Sequence, residues 1–265
     1  MTRILLVGCG KMGGAMLDGW LDLGLSPADM VVVEPQATAA AARSHVTLVA
    51  DVDAVPEHFH PEVVVLAVKP QTMDAVLPPY RRFDGAVFLS IAAGRTLASY
   101  ARLLGPEAAV IRAMPNTPAA VRRGMTVAVA NFRVSHVQRT LCDGLLAAVG
   151  EVAWIADEGQ MDAVTAVSGS GPAYVFLLAE ALAAAGAENG LPPTLAAQLA
   201  RATLIGAAEL LRLSPDAPEV LRHNVTSPGG TTFAALAVLT EPQGLEALMK
   251  RAVAAACRRS RELAG

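Results

Sequence analysis

Cysteine and lysine are both scarce, and each scarcity narrows what the chain can be. Three cysteines, Cys9, Cys142 and Cys257, are spread over 265 residues, too few and too scattered for a disulfide framework or a zinc site. The pattern suits a reducing compartment, and the short apolar run Ile4 to Val7 does not have the layout of a signal peptide. A cytoplasmic protein is therefore expected. The 21 basic residues include only three lysines, Lys11, Lys69 and Lys250. Against 24 acidic residues they leave a formal charge of −3, with no long basic cluster, so no nucleic-acid partner is expected. Nor is a metal: His58 and His60 lie between Pro56 and Pro61 with no third ligand nearby.

Long apolar runs are missing as well. The most apolar stretch, Pro172 to Ala187, has 16 residues and contains Glu180, short of the roughly 20 that a membrane span needs. It reads as a helix buried on nearly every side, which in a chain of this size points to burial against a second copy of itself. No membrane partner is expected.

What the chain does have is a glycine-rich turn near its start. Ile4 to Val7 runs into Gly8, Cys9, Gly10, Lys11, Met12 and Gly13, and an amphipathic pattern follows to Gly24. That is strand, tight turn, helix. In such a unit Gly8 permits the turn, Gly10 lets the backbone approach a diphosphate, and Gly13 lets helix and strand pack closely. Glu34 closes the next strand, Met30 to Glu34, where an acid can hold an adenosine ribose. A glycine turn kept only for packing is the alternative.

Further strands are expected at Val46 to Ala50, Val63 to Val68, Ala86 to Ile91, Val110 to Ala113, Thr126 to Ala130 and Val152 to Ile155, with helices at Thr38 to Arg43, Thr96 to Leu104 and Ser135 to Ala148. Lys69-Pro70-Gln71 and Ala92-Ala93-Gly94 follow two buried strands at the edge where an open parallel sheet binds its ligand. Lys69 can equally be a surface lysine, and the small residues equally suit tight packing. Pro115 and Pro118 bracket Asn116 and Thr117, which fixes where those two polar side chains point.

Beyond Asp157 only helical patterns remain, so a Rossmann-type doubly wound α/β domain, residues 1–157, is expected to precede an all-helical one, residues 158–265. Ser168 to Pro172 reads as a break that re-aims the chain. A polar stripe of Gln198, Arg201, Glu209 and Arg212 marks one helix, and Leu245, Leu248, Ala252 and Ala256 are expected to face inward on the last. Asn224 to Thr232 leads into the apolar helical run Phe233 to Leu239. Gly229, Gly230 and the hydroxyls of Thr226, Ser227, Thr231 and Thr232 make a second anion pocket suited to one small carboxylate. An elaborate N-cap is the alternative, although a cap needs only one hydroxyl.

Gly8 to Met12, Ala67 to Gln71, Ala92 to Gly94, Arg112 to Pro118, Ser168 to Tyr174 and Val225 to Thr232 together resemble the Δ1-pyrroline-5-carboxylate reductase family, in order and over essentially the whole chain. The resemblance implies reduction of a cyclic imine to proline by NADH or NADPH. It implies a cofactor held by Val7, Gly8, Cys9, Gly10, Lys11 and Met12, by Ala67, Val68, Lys69 and Pro70, and by Ala92 and Ala93. It further implies that Thr231 and Thr232 touch the substrate, with Glu158 and Asn224 close by, and that helical domains interlock as homodimers that often assemble further.

A cyclic imine is protonated readily, so the protein's task is positioning and electrostatics. The expected arrangement has Ser227, Gly229, Gly230 and Thr231 clamping the ring carboxylate and the Thr232 hydroxyl bonded to the ring nitrogen. Glu34 should repel a 2′-phosphate and so favours NADH; Arg43 lies too far along to offset it, and Asp51 stands roughly where the family often has Asn. A β-hydroxyacid-type dehydrogenase is disfavoured, because no lysine lies between Lys69 and Lys250. A non-catalytic dinucleotide sensor is the remaining rival.

Overall fold

The computed structural model describes residues 2–36 and 45–264. The stretch Thr38 to Arg43, with Arg43 as a distant counter-charge, lies outside the described residues.

Among the described residues, eight strands form one sheet: β1 (Ile4–Val7), β2 (Met30–Val33), β3 (Thr47–Val49), β4 (Val63–Leu66), β5 (Val87–Ser90), β6 (Ala109–Met114), β7 (Gly124–Ala130) and β8 (Gly150–Trp154). Their order is β3-β2-β1-β4-β5-β6-β7-β8. The first six strands in the chain pair in parallel, and β7 joins β6 antiparallel before pairing in parallel with β8. The strand order reverses between β1 and β4, so the doubly wound architecture has its crevice at the carboxyl ends of those strands. β1, β2, β4 and β5 are buried at every position because both faces of the sheet are covered. Alternate side chains divide between two cores: Ile4, Leu6, Val63 and Val65 with Met16, Leu17 and Trp20 on one side, and Leu5, Val7, Val64 and Leu66 with Tyr80 and Tyr100 on the other. Each such buried aliphatic side chain stabilises by about 1.5–3 kcal/mol.

Helix α1 (Lys11–Asp22) buries Met16, Leu17 and Trp20 against the sheet. A short turn of helix, α2 (Met73–Val76), follows β4. Helix α3 (Leu97–Leu104) starts at a Thr96 cap, whose hydroxyl accepts the Ser99 N–H at 3.1 Å. Helix α4 (His136–Ala147) starts at a capping box between Ser135 and Gln138.

The expected break at Ser168 to Pro172 is absent. A helical turn, α5 (Met161–Val164), passes into a π-helical turn, Thr165–Gly169, and then into α6 (Gly171–Glu188). The backbone at Ser170 keeps a right-handed helical conformation, φ −84° and ψ −21°. Gly169 closes the wider π turn, and Gly171 and Pro172 sit in the first turn of α6, where the N–H that proline does not have is not needed. The whole helical stretch Glu158–Glu188 covers 31 residues and, by length and composition only, is long enough to cross a membrane. Length by itself therefore does not exclude a membrane span.

The chain divides into two compact units, Met1–Gly169 with Ala256–Gly265, and Ser170–Ala255. Glu158, Asp162 and Ser168 fall in the first of these units because they are hydrogen-bonded to residues of the sheet and of the chain's last turns.

The second unit contains α6, α7 (Pro193–Leu213), α8 (Pro218–Asn224), α9 (Thr231–Leu239) and the first part of α10 (Leu245–Ala264). α6 and α7 form a hairpin turned at Gly190, φ +95°. Gly186 lets it close, since a Cβ there would stand 3.3 Å from that of Ala196. Arg212 pairs with Glu209 at 2.6 Å on the polar stripe. Within one chain α6 is not buried: Val175, Phe176, Leu177, Leu178 and Leu182 are all exposed. On α10 the expected inward register is also displaced. Leu245, Leu248 and Ala252 are exposed and only Ala256 of the four is partly buried, while Met249, Val253, Cys257 and Ser260 share its face. Both departures leave apolar side chains uncovered where a single chain supplies no surface to bury them.

Candidate active site

The carboxyl ends of β1, β2, β4 and β5 bring together most of the residues assigned to the cofactor. Gly8 N–H bonds to Val33 O at 2.8 Å, Ala67 N–H to Val7 O at 2.8 Å and Ile91 N–H to Leu66 O at 3.1 Å, so the turns after these strands leave the sheet side by side.

The three glycines do different work. Gly8 has φ +90°, and a Cβ there would lie 2.9 Å from Ala67 O. At Gly13 a Cβ would lie 2.5 Å from Gly8 O and 3.1 Å from the Ala67 Cβ, whereas at Gly10 it would meet nothing within 4 Å. Gly8 and Gly13 thus close the turn on itself, and Gly10 faces open space. Gly10 is also the N-cap of α1 and provides no side-chain cap, and no acidic residue lies in the first helical turn. Free N–H groups at an open glycine turn suit a diphosphate, so the residues present fit a dinucleotide.

Glu34 stands directly after β2. Its Oε2 accepts the Cys9 N–H at 2.8 Å and its Oε1 the Gln36 N–H at 3.1 Å, which fixes a carboxylate beside the glycine turn. Lys11 and Lys69 are exposed, Met12, Val68 and Pro70 half-buried, Ala92 buried and Ala93 exposed. Asp51 accepts the Ala54 N–H at 3.0 Å. His58 and His60 are both exposed, flanking the buried Phe59.

Glu158 is committed within the first unit. Its Oε1 accepts both Arg112 Nη1 at 2.7 Å and the Leu97 N–H at 2.9 Å. Arg112 was visible in the sequence as an arginine in an otherwise apolar strand, a signal that points to a buried charge with a partner. Asn116 does point somewhere definite: its amide nitrogen reaches the carbonyl and hydroxyl of Ser168 at 3.3 Å, and its Oδ1 accepts the Met125 N–H at 2.9 Å. Thr117 is exposed. Ser90 and Tyr100 share a short buried hydrogen bond. Burial raises the Tyr100 phenol, more than the Ser90 hydrogen bond and nearby Arg112 lower it.

In the second unit, Ser227 to Gly230 is a tight turn. Gly230 N–H bonds to Ser227 O at 3.0 Å, with Pro228 second and Gly229 at φ +69° third, the position that demands positive φ. α9 then begins at Gly230 with no side-chain cap and no acidic residue in its first turn. The capping alternative is therefore not realised, and the α9 amides lie beside Ser227, Thr231 and Thr232. Thr226 is excluded from that set, because its hydroxyl donates to Arg222 O at 2.7 Å. Asn224 is the last residue of α8.

A family model described as pyrroline-5-carboxylate reductase dimerisation matches residues 158–263, and one described as NADP oxidoreductase coenzyme F420-dependent matches residues 3–94. The pyrroline-5-carboxylate reductase of Pseudomonas aeruginosa is 42% identical over 99% of this chain and 97% of its own length. The chain belongs to the pyrroline-5-carboxylate reductase family. The reductase of Synechocystis sp. is 41% identical over 97% of each chain. Among solved structures, the pyrroline-5-carboxylate reductase of Coxiella burnetii superposes with a TM-score of 0.92 at 34% identity, over 100% of this chain and 99% of that one. The Plasmodium falciparum enzyme, solved with NADP bound, gives 0.85 at 27% identity over 100% and 98%. The dimerisation model begins at Glu158, where helical patterns take over in the reductase sequence.

Proposed function

We propose that this protein reduces 1-pyrroline-5-carboxylate to L-proline with a nicotinamide dinucleotide, the last step of proline synthesis. The observation that carries the reading is that a family resemblance of full length coincides with two uncapped helix starts, one at the open Gly10 turn and one at Gly230. The dinucleotide supplies the hydride. Val7 to Gly13, Ala67 to Pro70 and Ala92-Ala93 hold it on the sheet, with Glu34 at the adenosine ribose. The amides at Gly229 and Gly230 and the hydroxyls of Ser227 and Thr231 grip the substrate carboxylate, with Asn224 beside them. The Thr232 hydroxyl bonds the ring nitrogen and so keeps the imine oriented for attack at its carbon. Glu158 acts in the first unit, through the segments it holds at Leu97 and Arg112.

The fixed Glu34 carboxylate favours NADH, since a 2′-phosphate would meet its charge. The helical region, residues 158–265, serves as the dimerisation and substrate-binding domain, and residues 1–157 as the dinucleotide-binding domain. Exposed leucines and phenylalanine on α6 match a partner copy better than lipid, because Glu180 interrupts the same surface. The protein works in the cytoplasm, consistent with three cysteines that form no disulfide, and it engages neither membrane nor nucleic acid.

Oxidation of NADH and NADPH, followed spectrophotometrically with 1-pyrroline-5-carboxylate, is the test. Turnover is expected with both cofactors; none with either would overturn the reading and favour a dinucleotide sensor. Thr232→Ala should cut turnover by about tenfold or more with cofactor affinity nearly intact, and an unchanged rate would remove Thr232 from the mechanism.

A further inference from the structure

Arg95 lies in the loop between β5 and α3, just after Gly94, whose φ of +70° turns the chain there. Its guanidinium leaves that loop and reaches the turn after β4. Nε and Nη2 donate to Pro70 O at 3.1 and 2.6 Å. Nη1 and Nη2 meet the two oxygens of Asp74, in α2, at 3.0 Å each. The arginine side chain is 17% exposed and that of Asp74 is 66% exposed. The other ends of the β5–α3 loop are already fixed locally, at Ala92 by Ser90 Oγ and at Leu97 by Glu158. The β4–β5 ladder ends at Ile91 N–H to Leu66 O. Beyond that bond, among the described residues, the Arg95 side chain spans from one turn to the other.

We propose that Arg95 is a positioning residue for the dinucleotide, a strut that sets the spacing between the Lys69-Pro70 turn and the Ala92-Ala93 loop. The inference rests on the reading that these two segments contact the cofactor. The geometry favours a positioning role over an ordinary surface ion pair, which contributes little. Two of the four contacts go to a part-buried backbone carbonyl, and they require the planar fork of arginine, which lysine does not have. Asp74 completes the arrangement by neutralising the guanidinium; the same contact holds the Asp74 carboxyl below its usual range. The more exposed aspartate should matter less than the carbonyl.

The test is the equilibrium dissociation constant for NADH and for NADPH, measured by calorimetry on the full-length protein without imine. Arg95→Ala should weaken both by about tenfold, as expected when preorganisation of a binding segment is lost, with an unchanged melting curve and an unchanged KM for 1-pyrroline-5-carboxylate. Arg95→Lys should recover the affinity only in part. Asp74→Asn, which keeps the Pro70 contacts, should stay within about threefold of the parent. Parent-like dinucleotide affinity in Arg95→Ala would overturn the strut while leaving the proposed activity intact. Dinucleotide binding with no imine reduction would overturn the activity and leave the strut standing. Loss of affinity accompanied by a lowered melting curve in both Arg95→Ala and Arg95→Lys would make the contact a fold element only and would also overturn the proposal.

Discussion

Glu158 Oε1 sits 2.7 Å from Arg112 Nη1 and at the same time accepts the Leu97 N–H, so one carboxylate oxygen ties β6 to the start of α3 and to the head of the long helical stretch. The arginine side chain is only 6% exposed and the glutamate 27%. Removing one member of such a pair leaves a buried charge unpaired. Arg112→Met should therefore lower stability by about 3 kcal/mol in urea unfolding. The double substitution with Glu158→Met should recover part of the loss, and only part, because Leu97 N–H then has no acceptor. A single-substitution loss below about 1 kcal/mol would show that the pair is solvated.

The glycines of the first turn should separate by function. Gly13→Ala places a Cβ 2.5 Å from Gly8 O, and it should destabilise the fold by about 1–3 kcal/mol as an overpacked contact does. Gly10→Ala meets nothing within 4 Å, so its melting curve should match the parent while its affinity for either dinucleotide falls. Equal melting losses in the two variants would contradict the division of roles.

The proposed role of Glu34 in cofactor choice has a direct test. Replacing Glu34 with Ser removes the charge proposed to face a 2′-phosphate, and the ratio of kcat/KM for NADPH to that for NADH should rise by about tenfold or more. Cys9 N–H loses an acceptor in the same variant, so some loss with NADH is expected as well. An unmoved ratio would place cofactor discrimination elsewhere.

Burial pushes the Cys142 thiol up from 9.0 to about 12. Well below pH 9.0 the thiol is protonated whether the chain is folded or not, and its contribution is complete. As pH rises toward 12 the unfolded chain ionises first, so folding stability must fall. At about pH 10.5 the loss from this group should be on the order of 2 kcal/mol. Tyr80 and Tyr100, also raised by burial, add to it in the same direction above pH 10.0. Cys142→Ala should flatten the decline measured by urea unfolding between about pH 8 and pH 10.5; an unaltered slope would mean that the thiol is reached by water in the native state.

Much of the first unit was legible because its signals are local. Val63 to Val68 and Ile4 to Val7 are unbroken apolar runs, and a parallel strand covered on both faces leaves that mark in any sequence. Gly8 and Gly13 likewise meet a backbone requirement that no other residue meets, Gly8 through its positive φ and Gly13 through its contact with Gly8 O. The helical half was read less well. Ser168 to Pro172 has the composition of a break, yet Asn116, 52 residues away, holds Ser168 in a π turn and the helix continues. The buried face of α10 differs from the expected one because periodicity gives a stripe but not the surface that the stripe meets.

The sequence by itself determined the strand, turn and helix that make the dinucleotide edge, the hydroxyl-rich loop at Ser227 to Thr232 and the family, since each depends on residues close together in the chain. Only the tertiary structure decided that Glu158 spends its carboxylate on Arg112 and Leu97, that Thr226 turns its hydroxyl back to Arg222, and that Arg95 reaches Pro70. The reason is the same for all three: hydrogen-bonding capacity is assigned by proximity in space, and a side chain's identity states what it can bond but not what lies within 3 Å of it.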